Sequence, residues 1–466
     1  MKDMSYEGVM SRSNEIMKKS LGINYNDFED IGIGFDYEKM MNEVGYSLEE
    51  IMDIQKNVSV GKTPLIELKN ITKLVRKHSE EGKGARIFIK DEACNPSGSF
   101  KARRAATAVY HAKKMGYKGV IAATSGNYGA AVASQAAIHG LKCIIVQECY
   151  DSQGIGQPEI IEKARHCEAY GAEVVQLSVG PELFYIFLKL LEETRYFNAS
   201  LYTPFGIAGV ETLGYEIANE CKELKGKFPD VVVCTNAGGG NVTGTARGLI
   251  KAGAKQTQIV GASVNLKGLH MASDIDFNRK SFTTGHTGFG IPFSTWPDRS
   301  DVPRSAARPL RYLDRYVTVT QGEVFYTTEL LAQVEGLERG PAGNTSLAAA
   351  CSIARELPCD QIVIVQESEY TGAGKHIQSQ LSFARDNGIK IKFGNPSDEV
   401  PGKSIILPKN VGEIRATDLE LDSQKSSLIK NHCEKLEGDI SKKDIEFLAS
   451  ETKSCVKFVK QVIQGR

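Results

Sequence analysis

Several common signals are missing from this sequence, and each absence argues against a class of protein. Lysine plus arginine and aspartate plus glutamate both total 57, so the formal net charge is zero. Proteins that bind nucleic acid or a membrane surface usually carry a basic excess, so neither partner is predicted. No run of 18 apolar residues occurs, and the N-terminal MKDMSYEGVM lacks the apolar core of a signal peptide.

The ten cysteines form no metal or redox motif. The nearest pair, Cys143 and Cys149, is six positions apart, so there is no C-x-x-C. Neither a zinc ribbon nor a dithiol centre is therefore expected, and no metal site is predicted. Cys143 and Cys234 lie in apolar runs typical of buried strands. Reduced thiols and the lack of a targeting segment predict a cytoplasmic protein.

What the sequence does contain is a regular alternation of strands and helices. The 466 residues are too many for one small core, so two domains or one large domain with appendages are expected. The predicted strands are RIFIK, GVIAAT, LKCIIVQ, EVVQLS, VVVCTN, IVGASV, YVTVT and QIVIVQ. The predicted helices between them include Phe100–Met115, Asn127–Ile138, Pro158–Tyr170 and Glu211–Leu224. This order predicts the α/β class, with parallel-rich sheets flanked by helices.

The two ends of the chain read differently. Residues 1–55 are polar with scattered apolar positions and are predicted to form an arm of short helices. After residue 395 we expect a C-terminal extension with two helical segments. The second begins at the capping-box pattern of Ser441 and Asp444. Its predicted apolar face carries Ile445, Leu448, Cys455, Val459 and Val462.

Three glycines follow the predicted strand VVVCTN directly and precede a helix. Gly238, Gly239, Gly240 and Asn241 could cradle a phosphate, because glycine lets the backbone approach an anion and the helix N-terminus attracts it. There is no G-K-[ST] of a P-loop, and Thr243 replaces the last glycine of G-x-G-x-x-G. A tight strand–helix turn is the alternative, but it seldom needs three glycines.

Two further loops end strands with hydroxyl and amide groups. The first is a predicted carboxylate site at a helix start, formed by Thr124, Ser125, Gly126, Asn127 and Tyr128. In the second, Ser368 and Thr371 lie in a glycine-rich turn where a hydroxyl could meet a ligand nitrogen. Ligands of open α/β sheets bind at such carboxyl ends of strands.

Lys101, in NPSGSFKARR, stands at a helix start near these loops. The NPSGSFKAR stretch resembles the cofactor-lysine motif of fold-type II pyridoxal-phosphate enzymes, a family that includes threonine synthase. TSGNYGAAVA resembles the substrate loop of that family, GGGN its phosphate loop, and TGAGK its turn beside the pyridine ring. The resemblance covers about residues 64–390. The chain is therefore expected to be an enzyme with pyridoxal 5'-phosphate as cofactor.

The resemblance implies roles for individual residues. Lys101 would carry the cofactor covalently, and Asn127 would hydrogen-bond the ring's 3-hydroxyl oxygen. Gly238 to Asn241 would hold the phosphate, and Thr371 would face the ring nitrogen. Ser125 and its neighbours would hold the substrate carboxylate. The implied domains are a large cofactor-binding one, residues 56–104 and 206–394, and a smaller substrate-binding one, residues 105–205.

Some positions depart from threonine synthases. Ala102 and Arg104 replace a common Asp and Gly, and Gly340 stands where relatives usually have Glu before Pro. The terminal segments instead resemble the cofactor-bearing subunits of 2-amino-4-oxopentanoate thiolases, which act in ornithine breakdown. That resemblance implies thiolytic cleavage by coenzyme A to acetyl-CoA and alanine, with a small partner subunit and an oligomeric assembly.

Other functions stay open at this point. Within the enzyme class, the alternatives are another fold-type II lyase or synthase, such as diaminopropionate ammonia-lyase or threonine synthase. Outside it lie a cofactor-free scaffold and, less favoured, a nucleotide-binding protein. The region 298–315 is rich in arginine, and we hypothesise that it meets coenzyme A phosphates through Arg304 and Arg308. A solvated, salt-bridged surface is the plainer interpretation.

Overall fold

The computed structural model of the chain describes residues 2–124, 126–150, 154–156, 158–266, 302, 304–370, 377–436 and 438–465. The strands in these ranges are Leu65–Glu67 (β1), Arg86–Asp91 (β2), Gly119–Thr124 (β3), Lys142–Tyr150 (β4), Glu173–Ser178 (β5), Phe197–Asn198 (β6), Val231–Thr235 (β7), Gln258–Val264 (β8), Arg315–Val319 (β9), Ile362–Glu367 (β10), Lys390–Phe393 (β11), Ser404–Leu407 (β12) and Thr417–Asp418 (β13). Eight of them are the strands that the alternating pattern predicts.

The helices alternate with these strands through the middle of the chain. They are Tyr6–Ser11 (α1), Ser13–Leu21 (α2), Tyr37–Asn42 (α3), Leu48–Lys56 (α4), Lys69–Lys77 (α5), Lys101–Lys114 (α6), Asn127–His139 (α7), Pro158–Ala169 (α8), Glu182–Thr194 (α9), Pro204–Lys225 (α10), Gly240–Lys251 (α11), Gln321–Glu335 (α12), Pro341–Glu356 (α13), Ile377–Asp386 (α14), Leu421–Glu434 (α15), Lys442–Glu451 (α16) and Val456–Gln464 (α17). Helix α10 begins seven residues before the prediction, because Thr203 caps it and accepts a hydrogen bond from the Gly206 amide. In the described ranges, no helix is long and apolar enough to cross a bilayer.

The larger sheet has seven strands in the order β1-β2-β10-β7-β8-β9-β13. The five central strands of this sheet, β2, β10, β7, β8 and β9, pair in parallel. The two edge strands, β1 and β13, are antiparallel to their neighbours. Every residue of β10 is buried, as expected for a strand covered on both faces. The predicted α/β class is confirmed.

The smaller sheet lies within residues 119–198 and has the order β5-β4-β3-β6. All of its pairings are parallel. In both sheets the carboxyl ends of the parallel strands lead into the predicted ligand loops, since β3 precedes the Thr124 loop and β7 the glycine loop. The two sheets are consistent with two domains, but the predicted boundaries stay a prediction.

The N-terminal segment forms short helices, as predicted, and its apolar residues pack into the core of the protein. Val9, Met17 and Met40 are completely buried. They belong to the same hydrophobic cluster as Phe197 of the smaller sheet and Tyr312, which lies before β9. The segment is therefore an integral part of the fold.

The C-terminal prediction needs one correction. The capping box forms as expected, because the Ser441 hydroxyl accepts from the Asp444 amide while the Asp444 carboxylate accepts from the Ser441 amide. The single predicted helix is instead two, α16 and α17. The chain turns at Lys453, which has a left-handed φ of +48°, and Cys455 becomes an exposed residue at the start of α17.

The four arginines between residues 304 and 315 are engaged in ion pairs. Arg308 contacts Glu451 at 2.7 Å, and Arg311 contacts the same carboxylate at 2.6 Å. Burial would raise the pKa of Glu451, but the two guanidinium groups outweigh it and hold that pKa at about 2. Arg304 stacks over the Phe35 ring at 4.4 Å. The Arg308 side chain is 1% exposed and ties α16 to the main body, so it is not available to a coenzyme phosphate. For the rest of the arginine-rich region the hypothesis stays a prediction, and residues 298–301 and 303 lie outside the described residues.

Candidate active site

Lys101 is the first residue of α6, and the bend before it is fixed by backbone hydrogen bonds to the chain after β10. The Phe100 amide donates to the Ser368 carbonyl at 3.0 Å, and the Tyr370 amide donates to the Gly98 carbonyl at 2.7 Å. Gly98 has φ +72°, and a Cβ there would lie 2.0 Å from the Tyr370 carbonyl oxygen. Only glycine therefore allows this bend, which sets the start of α6 beside the end of β10.

A buried ionic network anchors the same helix two residues further on. Arg103 is completely buried and pairs with Glu92 at 2.7 Å and with Glu216 at 2.8 Å. Burial would raise the pKa of Glu216, but the Arg103 guanidinium outweighs it and holds that pKa at about 2. Glu92 follows β2 and Glu216 lies on α10, so Arg103 ties three elements together at the base of Lys101.

The glycine loop after β7 is shaped by the side chains that pack on it. A Cβ at Gly238 would lie 1.5 Å from the Tyr202 hydroxyl oxygen, and one at Gly240 would lie 2.6 Å from Arg104 Nη2. Gly239 has φ +84°, and a Cβ there would lie 2.5 Å from Pro309 Cγ. Helix α11 begins at Gly240, so the loop also carries the positive end of a helix of 12 residues. Packing alone thus requires glycine at these three positions; phosphate binding by the loop stays a prediction.

The loop after β3 leads into α7. The Gly126 amide donates to Thr124 Oγ1 at 3.1 Å. Asn127 is buried, and its amide nitrogen donates to the Glu369 carboxylate. A Cβ at Gly126 would lie 3.3 Å from Lys163 Nζ, so a cation stands against this loop. Lys163 is also paired with Glu159, at 2.5 Å.

The predicted loops meet at one cavity. Of the predicted site residues, it is lined by Lys101, Thr124, Gly126, Asn127, Gly238, Gly239, Gly240 and Asn241. Tyr128 does not line it: its side chain is completely buried, and burial raises the pKa of its phenol above the ordinary value. Ser125 and Thr371 lie outside the described residues.

Five residues of the cavity that carry an ionisable side chain were not predicted as site residues. They are Arg104, Glu148, Lys163, Tyr202 and Glu369. Arg104 could have been found, because a helix start at Lys101 places a residue three positions later on the same face. The others reach the cavity through the tertiary fold, for which a single sequence gives no signal.

Glu369 bears on one departure from the family pattern. A Cβ at Gly340 would lie 2.7 Å from Glu369 Oε1. The space beside Gly340 is thus taken by a carboxylate from the chain after β10. Glycine at position 340 leaves room for this carboxylate.

The cavity carries polar atoms that suit a phosphorylated, ring-shaped cofactor. Four buried atoms on its wall have no hydrogen-bond partner among the described residues. They are Ser99 Oγ, Arg104 Nε, Asn127 Oδ1 and Asn241 Oδ1. Buried polar atoms are normally paired, so these indicate a polar ligand. With the amides at the start of α11 and the amine of Lys101, they fit pyridoxal phosphate.

Comparison with known proteins agrees with this site. The family model described as "Pyridoxal-phosphate dependent enzyme" matches residues 57–367. That span begins before β1 and ends with β10, so it includes Lys101, the loop after β3 and the glycine loop, while Ser368 and Glu369 lie just beyond it. The chain therefore belongs to the family of pyridoxal-phosphate dependent enzymes, and pyridoxal phosphate is its cofactor.

Relatives narrow the class further. The chain is 73% identical over 464 residues to a "2-amino-4-ketopentanoate thiolase beta subunit" of Acetoanaerobium sticklandii, covering 99% of both chains. It is 29% identical over 299 residues to a "Threonine synthase" of Bacillus sp. (strain ULM1), covering 62% of this chain and 76% of that one. Because the chain is 73% identical to the thiolase beta subunit over nearly the whole length and only 29% identical to the threonine synthase, it belongs with the thiolase beta subunits within the larger family.

Solved structures support the fold. A serine racemase from Dictyostelium discoideum superposes with a TM-score of 0.53 at 20% identity, covering 69% of this chain and 97% of the other. The likeness at this identity concerns the arrangement of strands and helices only.

Proposed function

We propose that the chain catalyses the thiolytic cleavage of 2-amino-4-oxopentanoate by coenzyme A, giving acetyl-CoA and alanine. The observation that carries this proposal is the 73% identity over almost the whole length to a beta subunit named for the same compound. The identity extends over both terminal segments, which lie outside the family match at residues 57–367.

The reaction breaks the C3–C4 bond of the substrate and forms a bond between C4 and the coenzyme A sulfur. The coenzyme A sulfur gives up its proton and bonds to C4, the C3–C4 bond breaks, and C3 keeps the electron pair. Protonation of C3 then completes the methyl group of alanine, so atoms and charges balance. Pyridoxal phosphate supplies an electron sink that stabilises negative charge developing on the amino-acid carbon skeleton.

We assign the cofactor to the residues around the cavity. Lys101 would hold it covalently, and its amine would move the C2 proton of the substrate. Asn127 would donate to the ring's 3-hydroxyl oxygen, and Thr371 would face the ring nitrogen. The amides of Gly238, Gly239, Gly240 and Asn241 would bind the phosphate.

The substrate carboxylate is assigned to the loop after β3. Thr124, Ser125, Gly126 and Asn127, with the backbone amide of Tyr128, would bind it at the start of α7. The positive charge of Lys163 beside Gly126 favours an anion at this loop. The proposed substrate-binding domain, residues 105–205, contains this loop, and the proposed cofactor domain, residues 56–104 and 206–394, contains Lys101 and the glycine loop.

Assembly and location complete the proposal. Because the thiolase relative is named a beta subunit, we propose a small partner subunit and an oligomeric assembly. The N-terminal arm (residues 1–55) and the C-terminal extension (residues 395–466) are the proposed docking surfaces. A cytoplasmic location is consistent with ten cysteines that form no disulfide in the structure.

A product assay tests the proposal against threonine synthase and diaminopropionate ammonia-lyase. The chain, copurified with its partner subunit, is incubated with 2-amino-4-oxopentanoate and coenzyme A. We expect acetyl-CoA and alanine in equal amounts, and no turnover of O-phosphohomoserine or diaminopropionate. Turnover of either of these two compounds, with the oxo acid left intact, would overturn the proposed substrate and leave the cofactor assignment standing.

A further inference from the structure

Arg104 is a buried cation on the wall of the cofactor cavity. It lies on α6, one helical turn after Lys101, and it is 2% exposed. Its guanidinium stacks over the Phe100 ring at 5.2 Å. Both Arg104 and Lys101 line the cavity. The side chain therefore presents a fixed positive charge to whatever the cavity holds.

This charge has no counter-ion in the part of the chain that the structure describes. The one hydrogen bond of the guanidinium is from Nη1 to the Leu201 carbonyl, a long 3.3 Å, and Nε is buried without a partner. Burial lowers the pKa of Arg104 from its ordinary value. Its neighbour Arg103, equally buried, has two carboxylates. A buried arginine without an anion is costly, so its presence points to a ligand that supplies one.

The position of the guanidinium identifies which end of the cavity the anion occupies. Nη2 and Nη1 would lie 2.6 and 3.0 Å from a Cβ at Gly240, so the charged group faces the glycine loop at the start of α11. The cation beside the other loop, at Gly126, is Lys163. Each of the two predicted anion loops thus has a cation beside it, and of these two cations Lys163 is paired with the Glu159 carboxylate. Arg104 belongs to the glycine loop, where a phosphate is expected.

We propose that the Arg104 guanidinium binds the phosphate group of pyridoxal phosphate, together with the amides of the Gly238–Asn241 loop. The planar fork of an arginine suits a phosphate, and a charge-assisted hydrogen bond is stronger than one from a neutral amide. The cofactor then completes the cavity wall by pairing a charge that folding leaves buried. This inference depends on the cofactor and not on the proposed substrate.

The test compares pyridoxal phosphate with pyridoxal, which lacks only the phosphate. The dissociation constants of both are measured by absorbance titration of cofactor-free wild-type, Arg104→Gln and Arg104→Lys chains. In Arg104→Gln we expect the affinity for pyridoxal phosphate to fall by roughly 10- to 100-fold, the range for a hydrogen bond to a charged group. Pyridoxal should bind all three chains equally, and Arg104→Lys should lose less because it keeps the charge.

Arg165→Gln serves as the control, because the Arg165 side chain is 72% exposed. The dissociation constants of both ligands should be unchanged in this variant. An equal loss for both ligands in Arg104→Gln would overturn the proposal and make Arg104 a structural residue. An unchanged affinity for pyridoxal phosphate would overturn it as well. If Arg104→Gln does not fold, Arg104→Lys gives the same comparison. Since no substrate is used, failure of the thiolase reaction would leave these results unaffected.

Discussion

Replacing Arg103 with methionine removes the cation at the centre of the buried network below Lys101. Its guanidinium makes paired contacts with Glu92, at 2.7 and 2.8 Å, and with Glu216, at 2.9 and 2.8 Å. Methionine fills much of the same space without the charge. Lys90 remains 3.0 Å from Glu216, so Glu92, which is completely buried, is the carboxylate left without a cation.

The expected loss in the free energy of unfolding follows from the burial of the Glu92 carboxylate. Removing one partner of a buried pair leaves an uncompensated charge, which typically costs about 3–5 kcal/mol. The matched control is Arg315→Met, because Arg315 also makes paired contacts, here with Asp418, whose side chain is 58% exposed. An exposed pair contributes about 0–1 kcal/mol. The two variants should therefore differ by several kcal/mol in free energy of unfolding.

The pH dependence of stability should weaken on the acid side. In the wild type the pKa of Glu216 is held at about 2, below its ordinary 4.5, because the Arg103 guanidinium outweighs the effect of burial. The stability that this lowered pKa contributes is present above pH 4.5 and is lost as pH falls towards 2. Arg103→Met removes the largest cause of the lowering and keeps the smaller effect of Lys90, so the loss of stability between pH 4.5 and 2 should be smaller in the variant than in the wild type.

Chemical unfolding followed by tyrosine and tryptophan fluorescence at pH 7, 4.5 and 3 measures both effects, with circular dichroism as a check on the native fold. Equal destabilisation by Arg103→Met and Arg315→Met would refute the reasoning. So would an equal loss of stability between pH 4.5 and 3 in the wild type and in Arg103→Met, because Arg103 would then not be the cause of the low pKa of Glu216.

Three further variants probe the site and its support. Lys101→Ala should release the cofactor on dialysis, because no amine holds it covalently, and retained yellow absorbance would contradict the assignment. Gly238→Ala should weaken pyridoxal phosphate binding by ~10-fold or more, since the new methyl overlaps the Tyr202 hydroxyl. Adding Tyr202→Phe should restore part of the affinity, and an unchanged affinity in Gly238→Ala alone would argue against this packing. Glu451→Gln should lower the melting temperature and speed hydrogen exchange in the C-terminal helices, because Arg308 loses its counter-charge; unchanged exchange would show that the pair does not hold them.

The sequence predicts the strands and loops of this fold well because their signals are local. A run such as VVVCTN is rich in β-branched residues, and the structure buries the four residues Val231–Cys234. The glycine, lysine and Ser-Gly-Asn motifs each follow a strand, and parallel strands bring their carboxyl ends to one edge of a sheet. That geometry gathers Lys101, Asn127 and Gly238 at one cavity.

The features of the structure that the sequence does not predict depend on contacts between residues that are distant in sequence. Arg308 looked like a coenzyme ligand, yet it pairs with Glu451, 143 residues away. The turn at Lys453 interrupts an apolar pattern that periodicity alone continues into one helix. Arg103 and Arg104 are adjacent in sequence, but the fold gives them different surroundings. Arg103 pairs with two carboxylates, whereas Arg104 faces the glycine loop.

The most direct test of the central claim is the visible spectrum of the purified wild-type chain during titration with 2-amino-4-oxopentanoate. O-phosphohomoserine and diaminopropionate are titrated in parallel, and Lys101→Ala shows which absorbance depends on the lysine. We predict a saturable spectral shift with the oxo acid alone. A shift with one of the other two compounds, and none with the oxo acid, would contradict the account while leaving a pyridoxal-phosphate enzyme of different substrate.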